Sequence, residues 1–299
     1  MYLPLLLLIF TLINFQIRFS ILSELNLLTN PLHQTCINLL PKNPETQATL
    51  NALVCGHNFE SFQISHLYTS SGLIHLFVVS GTHLILIYKF LEFIFKQANV
   101  LHSKKIIFVV LFLYCAICLF NPPIVRSFIG LLIFDILKQK IKYWPKDYVL
   151  LLVGFICLAL NPNWITSLSL QMSWLAALGI EINFRCLKNT NSLLKQLPFY
   201  VFYLFTFSAL GFPQVSVLII ALFFTPVLEF ILLPLAFLVL AFPFLDSVFA
   251  IVINILNFVL SLMELSTSEL TTSFQTSILL NWGLILSLHF ILHFYRNKT

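Results

Sequence analysis

The feature that most constrains this chain is a succession of apolar runs separated by short polar turns, with very little charge anywhere. Over 299 residues, 59% are hydrophobic and only 9% are charged. A soluble domain usually carries about 25% charged residues, so a water-soluble fold of this composition would expose a largely apolar surface. A lipid bilayer removes that cost. The composition therefore predicts an all-α integral membrane protein, since a membrane barrel shows short alternating segments instead.

Nine apolar runs predict the spans of a polytopic transmembrane helical bundle. Several contain only about 15 residues, or ~22 Å of helix, whereas the hydrocarbon core is ~30 Å thick. We expect such helices to be short spans buried in the bundle or half-spans that line a cavity. Pro226 and Pro234 lie inside one run and predict a broken or kinked helix. The predicted spans are 72–95, 106–120, 124–137, 148–160, 164–182, 197–212, 215–243, 247–263 and 277–293.

The distribution of basic residues predicts three regions and their sidedness. Residues 1–18 are an expected N-terminal membrane anchor, 19–70 a small extracytoplasmic segment, and 71–299 a multi-span membrane domain. Lysines and arginines cluster in alternate connections, which the positive-inside rule places in the cytoplasm together with the C-terminus. The acidic loop 264–269 then falls outside. The net charge of +5 follows from the same rule and does not by itself indicate a nucleic-acid partner. The basic clusters are Lys96, Lys104 and Lys105; Lys138, Lys140, Lys142 and Lys146; Arg185, Lys188 and Lys195; and Arg296 and Lys298.

The cysteines predict one disulfide and no metal centre. Cys36 and Cys55 are the cysteines of the extracytoplasmic segment, where the environment is oxidising and a small segment without a large core gains most from a covalent link. Closing a loop of about 20 residues stabilises by roughly 3 kcal/mol in the chain-entropy treatment. We therefore predict a disulfide between them. The six cysteines show no C-x-x-C…C-x-x-C metal pattern, and neither a metal nor another cofactor is expected.

A polar group interrupts the first long apolar run after the extracytoplasmic segment. If residues 71–83 are helical, then His75, Ser80, Thr82 and His83 share one face and Gly81 lies opposite. Polar residues at membrane depth cost free energy and often mark a functional site. Two interpretations stay open, a hydrogen-bonded helix interface and the lining of a water-filled path.

Further polar residues lie in later runs. Arg126 is about one turn inside a predicted span, where it either snorkels to the outer surface or binds an entering phosphate. Ser173 belongs to a ridge of small residues that favours close helix packing, while Gln171 projects from another face and is a candidate for a path lining. A late span carries another polar group, predicted to be an interhelical seam: Asn254, Asn257, Ser261 and Glu264.

These groups, in this order, resemble the competence domain of the ComEC family, whose members form the inner-membrane channel for single-stranded DNA in natural transformation. The family's central motif reads approximately G-L-x-H-L-L-A-x-S-G-x-H. It is followed by P-x-x-x-R-A and then by a stretch that contains Q-x-S. The matching residues here are Gly72, Leu73, His75, Leu76, Ser80, Gly81 and His83 for the first element, Pro122 and Arg126 for the second, and Gln171 and Ser173 for the third.

The resemblance implies a function, partners and a location. It implies a channel subunit for DNA uptake in the bacterial cytoplasmic (inner) membrane, with single-stranded DNA and the lipid bilayer as partners. Further expectations are a DNA receptor outside, a homo-oligomer and an ATP-driven motor in the cytoplasm. The motor must be a separate protein, since the chain has no G-x-x-x-x-G-K-[ST] loop of its own. The segment 19–70 is short for the family's OB-like domain, and no H-x-H-x-D-H motif occurs, so a reduced form is expected. The DNA-path candidates are Gly72, His75, Ser80, Gly81, His83, Arg126, Gln171 and Ser173.

Rival interpretations remain open beside the channel. A rhomboid-type protease needs G-x-S-G, but Val78 occupies the first glycine position, so no enzyme is predicted. His289 and His293 have the i, i+4 spacing of metal ligands, but no carboxylate accompanies them in an H-E-x-x-H pattern, which favours a polar belt at the membrane edge. A small-solute transporter, and a non-transporting assembly subunit or degenerate paralogue, stay as alternatives to DNA transport.

Overall fold

The computed structural model describes residues 21–44, 46–57, 68, 79–137, 144–186, 228–262 and 274–296. These ranges are helical and contain no strand, which confirms the all-α prediction. The predicted anchor 1–18 and the predicted span 197–212 lie outside them. The described ranges contain ten α-helices: α1 Ile21–Leu39, α2 Gln47–Cys55, α3 Gly81–Gln97, α4 Ser103–Ile117, α5 Pro122–Ile136, α6 Lys146–Leu160, α7 Leu168–Cys186, α8 Leu233–Ala241, α9 Asp246–Leu262 and α10 Phe274–Arg296.

Most of these helices are short for a bilayer span. Among the described residues, one helical stretch of 19 residues, Pro243–Ser261, has the length and apolarity of a membrane-crossing helix, with a mean hydropathy of 2.0. Shorter apolar helical stretches cover Leu168–Ile182, Glu229–Ala241 and Ile278–Phe294. Each of these stretches has fewer residues than a straight crossing needs. The structure therefore establishes a helical fold, while the prediction of many membrane spans rests on the sequence pattern.

The chain forms two compact units, each built from separate pieces. The first unit comprises Met1–Leu25, Val125–Pro213 and Leu270–Thr299, and the second comprises Asn26–Ile124 and Gln214–Glu269. The boundary between them falls within the first turn of α5, so that the Arg126 group belongs to the first unit and the Ser80–His83 group to the second.

The first unit is held together by close packing of α6, α7 and α10. Gly154 of α6 lies against the six-membered ring of Trp174 of α7, and an ideal Cβ on Gly154 would fall 1.8 Å from Cη2 of that ring. The turn after α6 is capped, since Asn161 Oδ1 accepts a hydrogen bond from the Asn163 backbone N–H at 3.2 Å. Pro162 then begins a 3-10 turn, Pro162–Thr166, which leads into α7.

The second unit contains the predicted disulfide. Cys36 of α1 and Cys55 of α2 are joined, with their Cα atoms 5.9 Å apart. The end of α2 turns at Gly56, whose φ of +72° is in the left-handed region that favours glycine. A Cβ there would also lie 3.0 Å from the Cβ of Cys118, and Asn121 Nδ2 donates to the Gly56 carbonyl at 3.2 Å. The end of α2 therefore packs tightly on the turn that follows α4.

Two histidines lie beside this disulfide. His33 of α1 is buried, and its Nδ1 lies 2.8 Å from the carbonyl oxygen of Ile117. Its Nε2 faces Nδ1 of His57, just beyond the end of α2, at 3.5 Å. Burial, and then the neighbouring His33, lower the pKa of His57. The pair therefore connects α1, the end of α2 and the end of α4.

The start of α9 is bound to the segment that the sequence predicts to be extracytoplasmic. Thr46 Oγ1 donates to Asp246 Oδ1 at 2.6 Å, and Asn43 Nδ2 donates to Asp246 Oδ2 at 3.1 Å. Further along α9, Asn257 accepts a hydrogen bond from the Tyr68 hydroxyl. Two positions of α9, Asp246 and Asn257, are therefore bound to residues of the segment 19–70.

The prediction of a broken or kinked helix from Pro226 and Pro234 falls partly on described residues, and there the helix continues without a break. A π-helical turn, Leu228–Leu232, precedes α8, and Pro234 lies in the first turn of that helix. Proline is compatible with the first turn because its missing N–H would have no intrahelical partner there. Pro226 lies outside the described residues. Glu229 lies on this π-helical turn, which is relevant to the site below.

Candidate functional site

The N-terminus of α3 carries a dense set of polar contacts. Ser80 is the N-cap residue, and its Oγ accepts a hydrogen bond from the Thr82 backbone N–H at 3.3 Å. The Ser80 backbone N–H donates to His83 Nδ1 at 3.2 Å, which completes a capping box. The Ser80 hydroxyl also lies 3.0 Å from His83 Nδ1 and 2.6 Å from Thr82 Oγ1. The helix therefore starts in a fixed geometry that orients the imidazole.

His83 has a buried ring nitrogen whose hydrogen bonding is incomplete in the described part of the chain. The side chain is 3% exposed, and its Nε2 has no hydrogen-bond partner in the described part of the chain. Because Nδ1 accepts from the Ser80 N–H, a neutral His83 carries its proton on Nε2, so the group without a partner is a donor. A buried donor without an acceptor costs about 1–3 kcal/mol. Such a group in a native fold commonly marks a position where a ligand or water binds.

Glu229 joins the same site and was not predicted from the sequence. Its carboxylate accepts a hydrogen bond from the Thr82 side chain. The residue lies on the π-helical turn before α8, and such turns occur often at functional sites. The signal was available, because Glu229 is a single carboxylate inside the apolar run 215–243, and ionisable residues at membrane depth are functional candidates by default.

Arg126 forms the second polar site, in the first unit. Its Nε donates to Ser173 Oγ of α7 at 2.8 Å, so α5 and α7 are joined by this bond. Nε–H is one of the five donors of a guanidinium, and the terminal nitrogens carry the other four. The side chain is half-buried rather than extended into solvent. The bond therefore fixes the stem of the guanidinium and turns its terminal fork in one direction.

The sequence profile of the competence protein family matches residues 53–296. That range covers most of the chain. The chain belongs to the competence protein family. The ComEC competence domain expected from the Gly72–His83, Pro122–Arg126 and Gln171–Ser173 motifs is thereby confirmed. No curated protein and no solved structure matches the chain significantly.

The competence motif around Ser80 and His83 does not form the continuous helical face that the sequence predicted. The helix begins only at Gly81, and Ser80 has an extended backbone with φ −114° and ψ 177°. The shared-face prediction is therefore wrong for Ser80, because its side chain caps the helix instead of lining one of its faces. Ser80, Gly81 and His83 do lie together. Gly72 and His75 are outside the described residues.

Gln171 of the competence domain is placed in a buried bridge. It is fully buried, its Nε2 donates to the carbonyl of Ile165 at 3.0 Å, and its Oε1 accepts from Asn281 Nδ2 at 3.1 Å. Trp282 Nε1 donates to the same Ile165 carbonyl at 2.7 Å. The prediction that Gln171 lines a path is corrected accordingly, because one end of its amide binds the 3-10 turn before α7 and the other end binds Asn281 of α10.

The two histidines of α10 have separate partners. His289 is buried and its Nε2 accepts from Trp174 Nε1 at 3.2 Å, whereas His293 Nδ1 lies 3.3 Å from the Tyr148 hydroxyl. The predicted interfacial belt is therefore wrong for His289, which packs inside the first unit. Trp174 of α7 is buried and packs inside the first unit as well. Asp147 and Glu181 are further buried acids that the sequence analysis missed, and Glu181 pairs with Lys146 at 3.6 Å.

Proposed function

We propose that the chain is an inner-membrane channel subunit for the uptake of single-stranded DNA in natural transformation. The observation that carries the proposal is the match of the competence family over residues 53–296. Membership in that family indicates a role in competence and DNA uptake. The step to a conducting channel is ours, and it is supported by the polar residues at the two sites described above.

The proposal includes a multi-pass arrangement in the bacterial cytoplasmic membrane with the C-terminus in the cytoplasm. The basic clusters in alternate connections support it. The short helices support it too, because helices α4, α5 and α6 of 15 residues each suit a bundle with short spans around a polar path. A DNA receptor outside, an ATP-driven cytoplasmic motor and self-association are proposed partners. The chain is proposed to act as a conduit and not as an enzyme.

At the α3 site, the proposal assigns His83 to direct contact with the passing strand. Non-helical backbone at membrane depth is tolerated where it lines a water-filled cavity, and the chain is non-helical at Val79 and Ser80. The Nε2–H of His83 would donate to an acceptor on a base or sugar. The nearby Glu229 carboxylate disfavours a phosphate at this point, because like charges repel strongly in a poorly solvated site.

At the first-unit site, the proposal assigns Arg126 to the phosphates. A guanidinium binds phosphate oxygens in a two-pronged geometry, and the Ser173 bond leaves the terminal nitrogens of the fork for that contact. Binding of single strands combines such cationic contacts with polar or aromatic surfaces for bases. Arg126 and His83 therefore have different tasks in the proposal, and separate variants test them.

The test at His83 separates the ligand contact from helix capping. Gln is a standard residue at this capping-box position, so His83→Gln keeps an acceptor for the Ser80 N–H and removes the Nε2–H. Ser80→Ala removes the cap, at about 0.5–2 kcal/mol, and keeps the imidazole. In cells whose only copy is the variant, we expect His83→Gln to stop labelled DNA from reaching the cytoplasm while surface binding and protein level stay normal. Wild-type DNA entry in His83→Gln would refute the assigned contact.

The test at Arg126 separates the effect of its positive charge from the effect of its guanidinium geometry. Arg126→Ala should reduce DNA entry strongly, and Arg126→Lys should restore only part of it, because the charge returns without the fork. Ser173→Ala removes the bond to Nε and should weaken entry less than Arg126→Ala does. Equal entry rates for wild type and Arg126→Ala, at equal membrane abundance, would contradict the phosphate role.

A small-solute transporter is the second candidate, and Glu229 is the observation that favours it. A carboxylate bonded to Thr82 suits a cation or a neutral solute better than a polyanion. Glu229→Gln distinguishes the two. If the path carries DNA, neutralising this carboxylate should leave DNA entry unchanged or raise it. A solute flux that the wild type carries in liposomes and that Glu229→Gln abolishes, together with no DNA entry in wild-type cells, would favour the transporter.

A further inference from the structure

Helices α3 and α4 end with the same backbone hydrogen bond. The N–H of Val100 donates to the carbonyl of Phe95 at 3.0 Å, and the N–H of Phe120 donates to the carbonyl of Cys115 at 2.8 Å. A bond that spans five residues in this way is typical of the Schellman motif, in which the helix closes through a residue in the left-handed region. The two helices therefore end in the same motif.

The left-handed residue suits this motif in α3 but not in α4. In α3 it is Asn99, with a φ of 49°, and asparagine is one of the few residues that adopt this conformation readily. In α4 it is Leu119, with a φ of 50°, and Phe120 follows with a φ of 45°. Leucine and phenylalanine are sterically strained there, and such strain persists only where the surrounding structure holds it. The turn 118–121 therefore needs contacts from outside.

The disulfide-linked helices α1 and α2 provide these contacts. His33 Nδ1 of α1 lies 2.8 Å from the carbonyl oxygen of Ile117, the last residue of α4, and the ring N–H donates because a carbonyl only accepts. At the end of α2, the Gly56 carbonyl accepts from Asn121 Nδ2 at 3.2 Å. The disulfide of the second unit joins α1 to α2, so both contacts come from one covalently linked pair of helices.

Asn121 is the last residue of this turn and directly precedes α5. That helix begins at Pro122, and Arg126 lies about one turn further along it. The direction in which α5 leaves the turn therefore determines where the guanidinium lies. Building on the phosphate role assigned above to Arg126, we propose that Asn121 is a positioning residue. Its bond to Gly56 fixes the start of α5 and thereby places Arg126 for phosphate.

The test compares two Asn-Pro sequences, each at the start of a helical segment, in cells whose only copy is the variant. Asn121→Ser removes the donor to Gly56 and keeps a standard N-cap residue, and it should lower DNA entry roughly fivefold, the factor of one net hydrogen bond. Asn161→Ser is the matched control, because Asn161 accepts from the Asn163 N–H as serine can, and DNA entry should stay unchanged. Both variants should reach wild-type abundance in the membrane.

The outcomes at Asn121 and Arg126 are read separately. Wild-type DNA entry in Asn121→Ser, with reduced entry in Arg126→Ala, would refute the positioning role and leave the phosphate role intact. Wild-type entry in Arg126→Ala would instead contradict the phosphate role itself.

A combination with Arg126→Lys separates positioning from a general loss of stability. Lysine keeps the charge but has no fork to orient, so Asn121→Ser should lower DNA entry by a smaller factor in Arg126→Lys than in the wild type. An equal factor in both backgrounds would show that Asn121 acts independently of Arg126, and the positioning role would be wrong.

Hydrogen exchange on the wild type in detergent tests the contacts of the turn without any variant. The Phe120 amide should exchange slowly in the oxidised protein, and reduction of the Cys36–Cys55 disulfide should accelerate it, because α1 and α2 then hold the turn less firmly. The matched Val100 amide, which makes the same backbone bond, should keep its rate. An unchanged rate at Phe120, or equal acceleration at both amides, would overturn the proposal.

Discussion

Gly154 is the position in the first unit where an added methyl group should reduce the stability most. In Gly154→Ala, the added carbon would lie 1.8, 2.1 and 2.3 Å from Cη2, Cζ2 and Cζ3 of Trp174. Carbon atoms in contact normally stay about 3.5–4.0 Å apart, so the indole would have to move by about 1.7 Å. We expect α6 and α7 to separate or Trp174 to leave its position.

The surroundings of Trp174 decide the magnitude. The indole is 1% exposed, its N–H donates to His289 at 3.2 Å, and its ring meets Trp282 edge-on with centroids 5.7 Å apart. The Trp174 ring therefore cannot move away from an added Cβ without losing these contacts. Overpacking typically costs about 1–3 kcal/mol, and losing the hydrogen bond to His289 adds about 1 kcal/mol. The expected destabilisation of Gly154→Ala is therefore about 2–4 kcal/mol.

The assay is unfolding of purified protein by SDS in mixed micelles, with tryptophan fluorescence as the signal. Gly283→Ala is the control, because that helical glycine has nothing within 4 Å of an added Cβ, and it should be neutral or stabilising by up to about 1 kcal/mol. Trp174→Phe should partly rescue Gly154→Ala, with a coupling of about 2 kcal/mol, since phenylalanine lacks the clashing atoms. A cost below about 0.5 kcal/mol for Gly154→Ala would show that the α6–α7 contact is misplaced.

Two further predictions concern the second unit. Cys36 and Cys55 should both resist alkylation in protein isolated without reductant, and Cys36→Ser should destabilise by roughly 3 kcal/mol in the chain-entropy treatment; free thiols at both positions would contradict the disulfide. Cysteine probes at Asn43 and Thr267 should react with an impermeant reagent from outside intact cells, whereas a probe at Lys142 should not. Labelling of Lys142 from outside would invert the proposed topology.

The apolar pattern was sufficient to predict several helices. The predicted spans 124–137 and 148–160 correspond to α5 Pro122–Ile136 and α6 Lys146–Leu160 within two residues at each end. The start of α3 was missed, although serine is a standard N-cap. The apolar residues before Ser80 fit the spacing of a helix, so the sequence prediction placed the start of the helix before Ser80 and did not treat this serine as the N-cap.

Pairings between distant residues could not be predicted in the same way. Gln171 binds Asn281 and Thr82 binds Glu229, more than 100 residues away in each case. Periodicity shows which residues share a face of one helix, but it does not show which helix that face meets. The polar residues were therefore identified as candidates, while their division into buried bridges and ligand-facing groups required the tertiary structure.

Helix α9 shows why length and apolarity alone do not establish a membrane crossing. The stretch Pro243–Ser261 meets both criteria, yet Asp246 binds Thr46 and Asn257 binds Tyr68, all within the second unit. The two α9 residues are about 16 Å apart along the helix axis, and both of their partners belong to the segment 19–70, which the sequence predicts to be extracytoplasmic. A helix that left this segment to cross the bilayer would bind it at one end only. We therefore predict that α9 lies along the same side of the membrane as this segment, with the acidic loop 264–269 also on that side. Protection of Thr267 from outside reagents would refute this placement.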